Sequence, residues 1–328
     1  MTLRINTWSG IIGVVFAFWV ACFPQVQGQE AAHFNSVRLL TNKEAVLQIQ
    51  GSNTFNYRID VSNDLSNWLA LATLRSSGVN QYTDSFAPYL SARSYRAAKV
   101  EGTNILTGDH LSTPEGPITF HPINHASLVL NWNGITIYSD PVNGSTPYKG
   151  LARADLILVT HSHGDHFDSA TINSVTNTNA VIIAPQAVFN SLTTAQRKLA
   201  RVMTNGAVTT FGDITIEAVP AYNLTSNFHP KGQGNGYVLT VGGRRIYISG
   251  DTEDVPEIRA LTNIDVAFLC MNLPYTMSIT KAVSTARQFE PAIVYPYHYQ
   301  GYSSTDLNTF KRQVGTDLGI EVRLRPWY

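Results

Sequence analysis

The segment THSHGDHFD, residues 160–168, is the feature that most restricts what this chain can fold into. It follows the apolar run ADLILV, which predicts a buried β-strand that ends where the histidines begin. Neutral imidazoles and carboxylates bind borderline divalent cations, and a loop at a strand end can direct alternate side chains into one space. The segment therefore predicts a metal-binding loop rather than a solvated polar loop.

The order of residues within this segment predicts two metal ions. His161 and His163, two residues apart, can hold one ion. Gly164 permits a tight bend, after which Asp165 and His166 can face a second ion close by. In this interpretation the loop is dense in ligands because it serves two cations.

Two later apolar runs end in residues of the same kind. RRIYISGDTED leads to Asp251, whose two carboxylate oxygens can bridge two ions, and AIVYPYHYQG leads to His298. Because binding sites collect at strand ends in α/β folds, we expect both residues to reach the same site. Spacing alone leaves Asp251 open as a turn residue or helix N-cap, and His298 as a hydrogen-bonded core histidine.

The charge balance argues against nucleic acid as a partner and favours a small-molecule substrate. Lysine plus arginine and aspartate plus glutamate number 23 each, and no basic tract is present. The sequence contains no G-x-S-x-G elbow, P-loop or dinucleotide fingerprint. Metal-activated water is therefore the chemistry that the sequence signals.

Residues 1–28 predict a secretory signal peptide. Arg4 precedes an apolar run over residues 11–23, which is short against the ~20 residues of a membrane-spanning helix. We expect a secreted or periplasmic protein, with a lipid anchor at Cys22 as the alternative. After cleavage only Cys270 remains, and its apolar strand predicts a buried, inert thiol.

The rest of the chain divides into two predicted domains. Residues 33–108 alternate apolar and polar in short runs, which predicts a small β-sandwich with Trp68 in its core and a polymer or surface as its partner. The segment EGTNILTGDHLSTPEGP, residues 101–117, is rich in Gly, Pro, Ser and Thr and predicts a linker at residues 109–116. Residues 117–328 alternate strand and helix patterns, which predicts a layered α/β domain.

The motifs THSHGDHFD, SGDTE and YPYHYQG, preceded by NHASLVLNWNGITIYSDPV, together resemble the metallo-β-lactamase fold superfamily. They are most similar to its ascorbate-6-phosphate-lactonase-like metal-dependent hydrolases, while residues 33–108 resemble fibronectin-type-III-like modules. The resemblance implies an αββα sandwich with two divalent cations at one edge of two facing sheets. We expect zinc, with manganese or iron as alternatives. The implied ligands are His161 and His163 for the first ion, Asp165, His166 and His298 for the second, and Asp251 as the bridge.

One position departs from the superfamily pattern. A third histidine usually reaches the first ion from a segment after a strand, where EAVPAYN offers Asn223. We expect His229, six residues later in a glycine-containing loop, to replace it; the alternative is an open coordination position. His125 in NHAS matches a histidine typical of this branch, which implies a role beside the metals or substrate, with a satisfied strand histidine as the alternative.

The predicted reaction is hydrolysis. Paired divalent cations lower the pKa of a bridging water to about 7 and polarise the bond under attack, and Asp165 can orient that water. We therefore expect an exported hydrolase that acts on a lactone, amide or phosphodiester. Two alternatives remain: an iron-dependent oxidoreductase on the same fold, and a non-catalytic binding protein with structural metals.

Overall fold

A computed structural model describes residues 11–15, 33–51, 55–75, 79–101 and 105–328. These residues form two compact units. The first runs to Ser112 and includes Gly116–His121, and the second comprises Thr113–Glu115 and Pro122–Tyr328.

The first unit is built from eight described strands in two sheets. β2, β3 and β6 form one antiparallel sheet, and the second has the order β1-β7-β4-β5-β8. The strands are β1 (Ile11–Val15), β2 (His33–Leu39), β3 (Ala45–Gln50), β4 (Asn56–Ser62), β5 (Leu69–Arg75), β6 (Val79–Asp84), β7 (Ala92–Val100) and β8 (Gly108–Leu111).

Both sheets of this unit contribute to one apolar core. Leu47 of β3 and Tyr82 of β6 pack in the same cluster as Ile59 of β4 and Tyr95 of β7. Because alternate residues of each strand point to one face, each sheet supplies every second side chain to the core. The first unit is therefore the small all-β sandwich that the sequence predicts.

Trp68 does not belong to this core, and the prediction for it is wrong. Its ring is half-buried, with the Arg96 guanidinium 4.6 Å above it, and its indole N–H donates to the carbonyl oxygen of Leu65 at 3.1 Å. The fully buried aromatic residues of the cluster are instead Tyr57 and Tyr95. The Leu65 contact keeps the indole at the turn before β5.

Part of the predicted linker is also a strand. Gly108–Leu111 pairs with β5 at Thr73 and Ala72. A Cβ at Gly108, whose φ is +138°, would lie 1.9 Å from the carbonyl oxygen of Phe120. Only glycine fits this close approach of two backbones, so the residue that suggested a flexible linker permits a paired strand.

The second unit contains two sheets and six helices. β9 begins in the first unit, where it pairs with β8, and enters the second unit at Pro122. The first sheet then has the order β10-β11-β12-β13-β14, and the second runs from β15 to β21 in sequence order. The strands are β9 (Ile118–Asn124), β10 (Ser127–Trp132), β11 (Ile135–Ser139), β12 (Ala154–Leu158), β13 (Thr176–Ala184), β14 (Ala200–Val202), β15 (Val208–Phe211), β16 (Ile214–Ala221), β17 (Gly234–Val241), β18 (Arg244–Ile248), β19 (Val266–Cys270), β20 (Ile293–Tyr297) and β21 (Glu321–Val322). The helices are α1 (Ser169–Val175), α2 (Gln186–Ser191), α3 (Thr194–Arg197), α4 (Pro256–Arg259), α5 (Ile279–Phe289) and α6 (Ser304–Val314).

Parallel pairing sets where the loops of this unit meet. β11, β12, β13 and β14 run parallel to one another, and so do β18, β19, β20 and β21. β19 and β20 are buried along their whole length, as expected of parallel strands covered on both faces. The carboxyl ends of parallel strands lie at one edge of a sheet. The loop after β12 therefore lies at this edge of the first sheet, and the loops after β18 and β20 lie at this edge of the second.

The N-terminal predictions fall largely outside the described residues. Of the predicted signal peptide, residues 1–28, the structure describes Ile11–Val15, which pairs with β7. Cys22 lies outside the described residues, and export stays a prediction. Within the described part of the chain, no helix has the length and apolar character needed to cross a membrane. Cys270 is buried as expected, and burial raises the pKa of its thiol to about 12.

Candidate metal centre

The seven predicted ligands lie together at the ends of strands in the second unit. Four follow β12, one follows β18, one follows β20, and one lies in the loop between β16 and β17. In that order they are His161, His163, Asp165, His166, Asp251, His298 and His229.

The carboxylate of Asp251 lies at the centre of this cluster. Its Oδ1 is 3.3 Å from Nε2 of His166 and 3.2 Å from Nε2 of His298. Its Oδ2 is 3.2 Å from Nε2 of His229 and 4.0 Å from Nε2 of His161. The two oxygens thus face different pairs of imidazoles, which is the arrangement expected of a bridging carboxylate.

The remaining two residues complete the two groups. His163 joins His161 and His229, and the ligand atoms of these three histidines lie within 4.8 Å of one another. Asp165 joins the other group, with its Oδ2 3.9 Å from His166 Nε2 and 3.6 Å from His298 Nε2. The second group therefore has a carboxylate where the first has a third imidazole.

These side chains fit the binding of divalent metal. Buried polar atoms in folded proteins nearly always have a hydrogen-bond partner, yet five atoms of the cluster have none among the described residues. A cavity of about 40 Å³ is lined by three of the five residues, His161, His229 and Asp251, and it exceeds the space that one water-sized species needs. Imidazole and carboxylate are the donors that borderline cations such as zinc prefer. The five atoms are Nε2 of His161, His166, His229 and His298 and Oδ1 of Asp251.

The electrostatics of the cluster favour a bound positive charge. Burial opposes ionisation of Asp251, but His298 and His166 outweigh it and hold the pKa of this carboxyl well below its usual range. Burial, together with His166, lowers the pKa of His161 well below its usual value, so this ring is neutral and able to bind a metal at pH 7. The negative charge of the buried Asp251 carboxylate is then balanced by His166 or by a bound cation.

Asp140, which sequence reasoning missed, orients His166. Its Oδ2 lies 2.8 Å from Nδ1 of His166 and 2.7 Å from the hydroxyl of Thr160. Burial alone would lower the pKa of His166, but Asp251 and Asp140 together raise it well above its usual value. A carboxylate on Nδ1 directs Nε2 toward the cluster, as carboxylate partners of ligating histidines do. The available signal was an aspartate directly after the strand ITIYS.

Asn223 orients His229 in the same way. Its Oδ1 accepts from the backbone N–H of His229 at 2.8 Å and lies 2.7 Å from Nδ1 of that ring. Its Nδ2 donates to the carbonyl oxygen of Tyr275 at 2.9 Å and to Glu253 at 3.2 Å. With Nδ1 engaged, Nε2 of His229 faces Asp251. The structure thus brings His229 into the cluster and places Asn223 behind it.

His125 lies beside the second group and is held from both sides. Its Nε2 is 3.0 Å from Oδ2 of Asp165, and its Nδ1 is 2.5 Å from the hydroxyl of Tyr328. Its backbone N–H donates to Trp327 and its backbone oxygen accepts from the N–H of His298, both at 3.1 Å. Sequence analysis missed Tyr328, because nothing in the sequence links it to a residue 203 positions away.

The Tyr328–His125–Asp165 contacts define one tautomer of His125. Burial lowers the pKa of His125, although Asp165 opposes this, so the ring is neutral at pH 7. An ionised carboxylate only accepts, so the proton of the ring lies on Nε2 and Nδ1 accepts from the Tyr328 hydroxyl. Tyr328 therefore fixes how His125 meets Asp165.

Three residues of the site have left-handed backbone conformations. The φ angles of His125, Asp140 and His298 are 54°, 45° and 49°. Non-glycine residues adopt positive φ at an energetic cost, and such residues cluster at functional sites. Each occurs at the end of a strand, where the turn aims the side chain at the cluster.

Comparison with known proteins bears on the second unit. The family model described as a Beta-lactamase superfamily domain matches residues 118–298. A UPF0173 metal-dependent hydrolase from Thermococcus kodakarensis is 32% identical over 216 residues, which cover 62% of this chain and 95% of that relative. The crystal structure of a metal-dependent hydrolase from Parabacteroides distasonis is 41% identical with a TM-score of 0.60, covering 67% of this chain and 99% of that one. A metallo hydrolase from Ignicoccus hospitalis, 23% identical, shares the fold with a TM-score of 0.54, over 63% of this chain and 94% of that one.

Asn223→Ala tests whether this amide positions His229. We expect the affinity for zinc to fall about 10- to 100-fold, because a ligating histidine loses the partner that fixes its ring. Competition with a chromophoric chelator measures this. Asn223→Asp keeps an acceptor oxygen for His229 but loses the donor to Glu253 and Tyr275, so its affinity should lie between those of Asn223→Ala and the wild type. An unchanged affinity in Asn223→Ala would show that His229 does not depend on Asn223.

Tyr328→Phe tests the tautomer of His125. The phenyl ring keeps the packing against Tyr299, whose ring centroid is 5.1 Å away, but the donor to Nδ1 is lost. We expect the Nδ1-protonated form of His125 to appear in long-range ¹H–¹⁵N spectra. Tyr275→Phe, which removes another exposed hydroxyl, is the matched control and should leave His125 unchanged. Identical His125 signals in both variants would remove Tyr328 from the network.

Proposed function

The chain belongs to the metallo-β-lactamase superfamily and is a metal-dependent hydrolase, and we propose that it uses two divalent cations to hydrolyse a lactone, amide or phosphodiester of a small molecule. The observation that carries this proposal is the position of Asp251. Its two oxygens each lie 3.2 Å from an imidazole of a different group, His229 on one side and His298 on the other. One cation would use only one of these groups. The hydrolase relatives favour this function over the oxidoreductase and non-catalytic alternatives.

In this proposal each group holds one ion. Five imidazoles and two carboxylates favour zinc, with manganese or iron as alternatives. When bound, the pair of cations would supply a water acidic enough to attack at neutral pH and would polarise the bond under attack. The first ion would be held by His161, His163 and His229 and the second by Asp165, His166 and His298, with Asp251 placed to contact both.

The exposure of the ligands indicates the side from which the substrate approaches. His163 and Asp165 are exposed, whereas His161, His166 and Asp251 are buried. Substrate and attacking water therefore reach the cluster from the His163 and Asp165 side. The buried side stays dry, which strengthens the electrostatic interactions there.

Asp165 and His125 are the residues that we assign to orienting the attacking water. The Asp165 carboxylate is half exposed, so it can accept a hydrogen bond from water at the mouth of the cluster. His125 Nε2–H donates to Oδ2 of Asp165 and holds this carboxylate in one orientation. His125 thus acts through Asp165 as a positioning residue, and Tyr328 acts through His125.

We also propose that the protein is exported, by cleavage near Gly28 or as a lipoprotein at Cys22, and that its sandwich contacts a polymer or surface. Counted from β2, the first, second and fifth strands form one sheet and the third, fourth and sixth lie in the other. Immunoglobulin-like sandwiches likewise place their first, second and fifth strands in one sheet and their third in the other, which supports the fibronectin-type-III-like assignment. Fractionation of cells that express the full chain tests export. A full-length, unprocessed protein confined to the cytoplasm would contradict it.

His163→Ala tests the two-ion proposal. The change removes one ligand of the first ion, so we expect bound metal to fall from about two equivalents to about one, with hydrolysis lost and the melting temperature lowered. The measurements are elemental analysis, thermal unfolding, and turnover of chromogenic lactone, β-lactam and phosphodiester substrates. Ser162→Ala, on the same loop, is the control. Wild-type turnover with full metal content in His163→Ala would refute the assignment.

A further inference from the structure

Two loops next to the metal centre expose four large apolar side chains. Leu224 and Phe228 lie between β16 and β17 and are 53% and 44% exposed, while Leu273 and Tyr275 lie between β19 and α5 and are 56% and 45% exposed. We call these four residues the apolar rim. Contiguous exposed apolar surface in a folded protein commonly marks a binding site.

The rim is continuous with the metal centre. Phe228 directly precedes His229 and lines the same cavity as His163. The rings of Phe228 and Tyr275 pack edge to face, with their centroids 4.9 Å apart. Asn223, the residue that orients His229, also donates to the carbonyl oxygen of Tyr275. The two loops therefore contact one another at the edge of the cluster.

The other two rim residues are anchored in the same way. Leu224 follows Asn223 directly, and its backbone N–H donates to Glu253 at 3.2 Å. Leu273 follows Asn272, whose amide lies 3.5 Å from Nδ1 of His298. Each rim loop thus also carries a residue that contacts a histidine of the cluster. These contacts hold both loops at the metal centre.

The loops of the site offer little to a negatively charged substrate group. Four loops, all of which the structure describes, carry the histidines of the cluster or the apolar rim. Lys231 is the one lysine or arginine among them. Its Nζ pairs with Glu257 at 2.8 Å and lies 4.5 Å from the ring of Tyr222. Phosphate groups are usually bound by charged donors, which these loops do not present. The loops are residues 160–168, 220–233, 271–278 and 298–303.

We propose that the apolar rim binds an uncharged alkyl or aryl group next to the bond that is hydrolysed. The substrates would then be apolar lactones or esters rather than phosphorylated ones. In a lactone, the oxygen of water bonds to the carbonyl carbon and the ring C–O bond breaks. The ring oxygen takes up one proton to become a hydroxyl, and the product acid releases the other. This inference rests on the proposed function and names its substrate class.

A series of γ-lactones tests the inference with the zinc-loaded full chain. From γ-butyrolactone to γ-hexalactone, γ-octalactone and γ-decalactone, the reacting ring is constant while the alkyl group lengthens. We expect kcat/KM to rise about two- to fourfold per added methylene, the range for partial to full burial of that group. A kcat/KM that does not change with chain length would overturn the inference.

Variants of the rim locate the effect. In Phe228→Ala and Tyr275→Ala, the ratio of kcat/KM between γ-decalactone and γ-butyrolactone should fall about tenfold. Val208→Ala is the matched control, because Val208 is an apolar side chain, 63% exposed, on β15 outside the rim loops. Tyr275→Ala does not adjoin a ligand, so it separates loss of the rim from loss of metal. Wild-type ratios in both rim variants would overturn the inference.

The same experiment separates this inference from the proposed function. If protein with full metal content hydrolyses no lactone, amide or phosphodiester, the proposed function is wrong. If it hydrolyses an amide or a phosphodiester but no lactone or ester, the substrate class named here is wrong while the proposed function stands. Calorimetry with acetate, hexanoate and octanoate then still tests the rim. Affinity that increases with chain length in the wild type, and less so in Tyr275→Ala, supports it. Equal affinities for the three carboxylates overturn it.

Discussion

The buried carboxylate of Asp251 is the constraint on which the rest of the site depends. It is 4% exposed and lies among four imidazoles at the carboxyl end of β18. A buried charge is destabilising by several kcal/mol unless it is paired, so this position requires compensating positive charge. Without metal, protonated His166 can supply part of that charge; when divalent cations bind, they supply the charge and His166 binds as a neutral imidazole. The same residue therefore links the stability of the fold to metal binding.

The histidines of the site are oriented by residues from separate parts of the chain. Asp140 after β11 holds His166, Asn223 after β16 holds His229, and Tyr328 holds His125. In each case the partner contacts Nδ1, which leaves Nε2 directed toward the cluster or Asp165. Imidazole rings that are already oriented need little rearrangement to bind a cation. This favours one binding geometry over several alternative geometries with weaker binding.

The candidate ligands that the sequence singles out lie together in the structure, whereas Asp140 and Tyr328, which orient two of the histidines, were not predicted. Ligand-type residues at the ends of apolar runs are visible locally, and His229 became a candidate because Asn223 departs from the superfamily pattern. Tyr328 could not be found, because its contact with His125 depends on how distant segments pack. The same limit applies to the fold. The run LTTAQRKLARV, residues 192–202, has a helical pattern throughout, but the helix ends at Arg197 and Ala200–Val202 pairs with β13. Parallel pairing there overrides a local helical pattern.

An anomalous difference map from crystals grown with zinc tests the central claim most directly. Two peaks should appear, one beside each oxygen of Asp251, with His161, His163 and His229 around the first. Asp165, His166 and His298 should surround the second. A single peak, or peaks away from Asp251, would contradict the account of this carboxylate as the bridge of a two-metal centre.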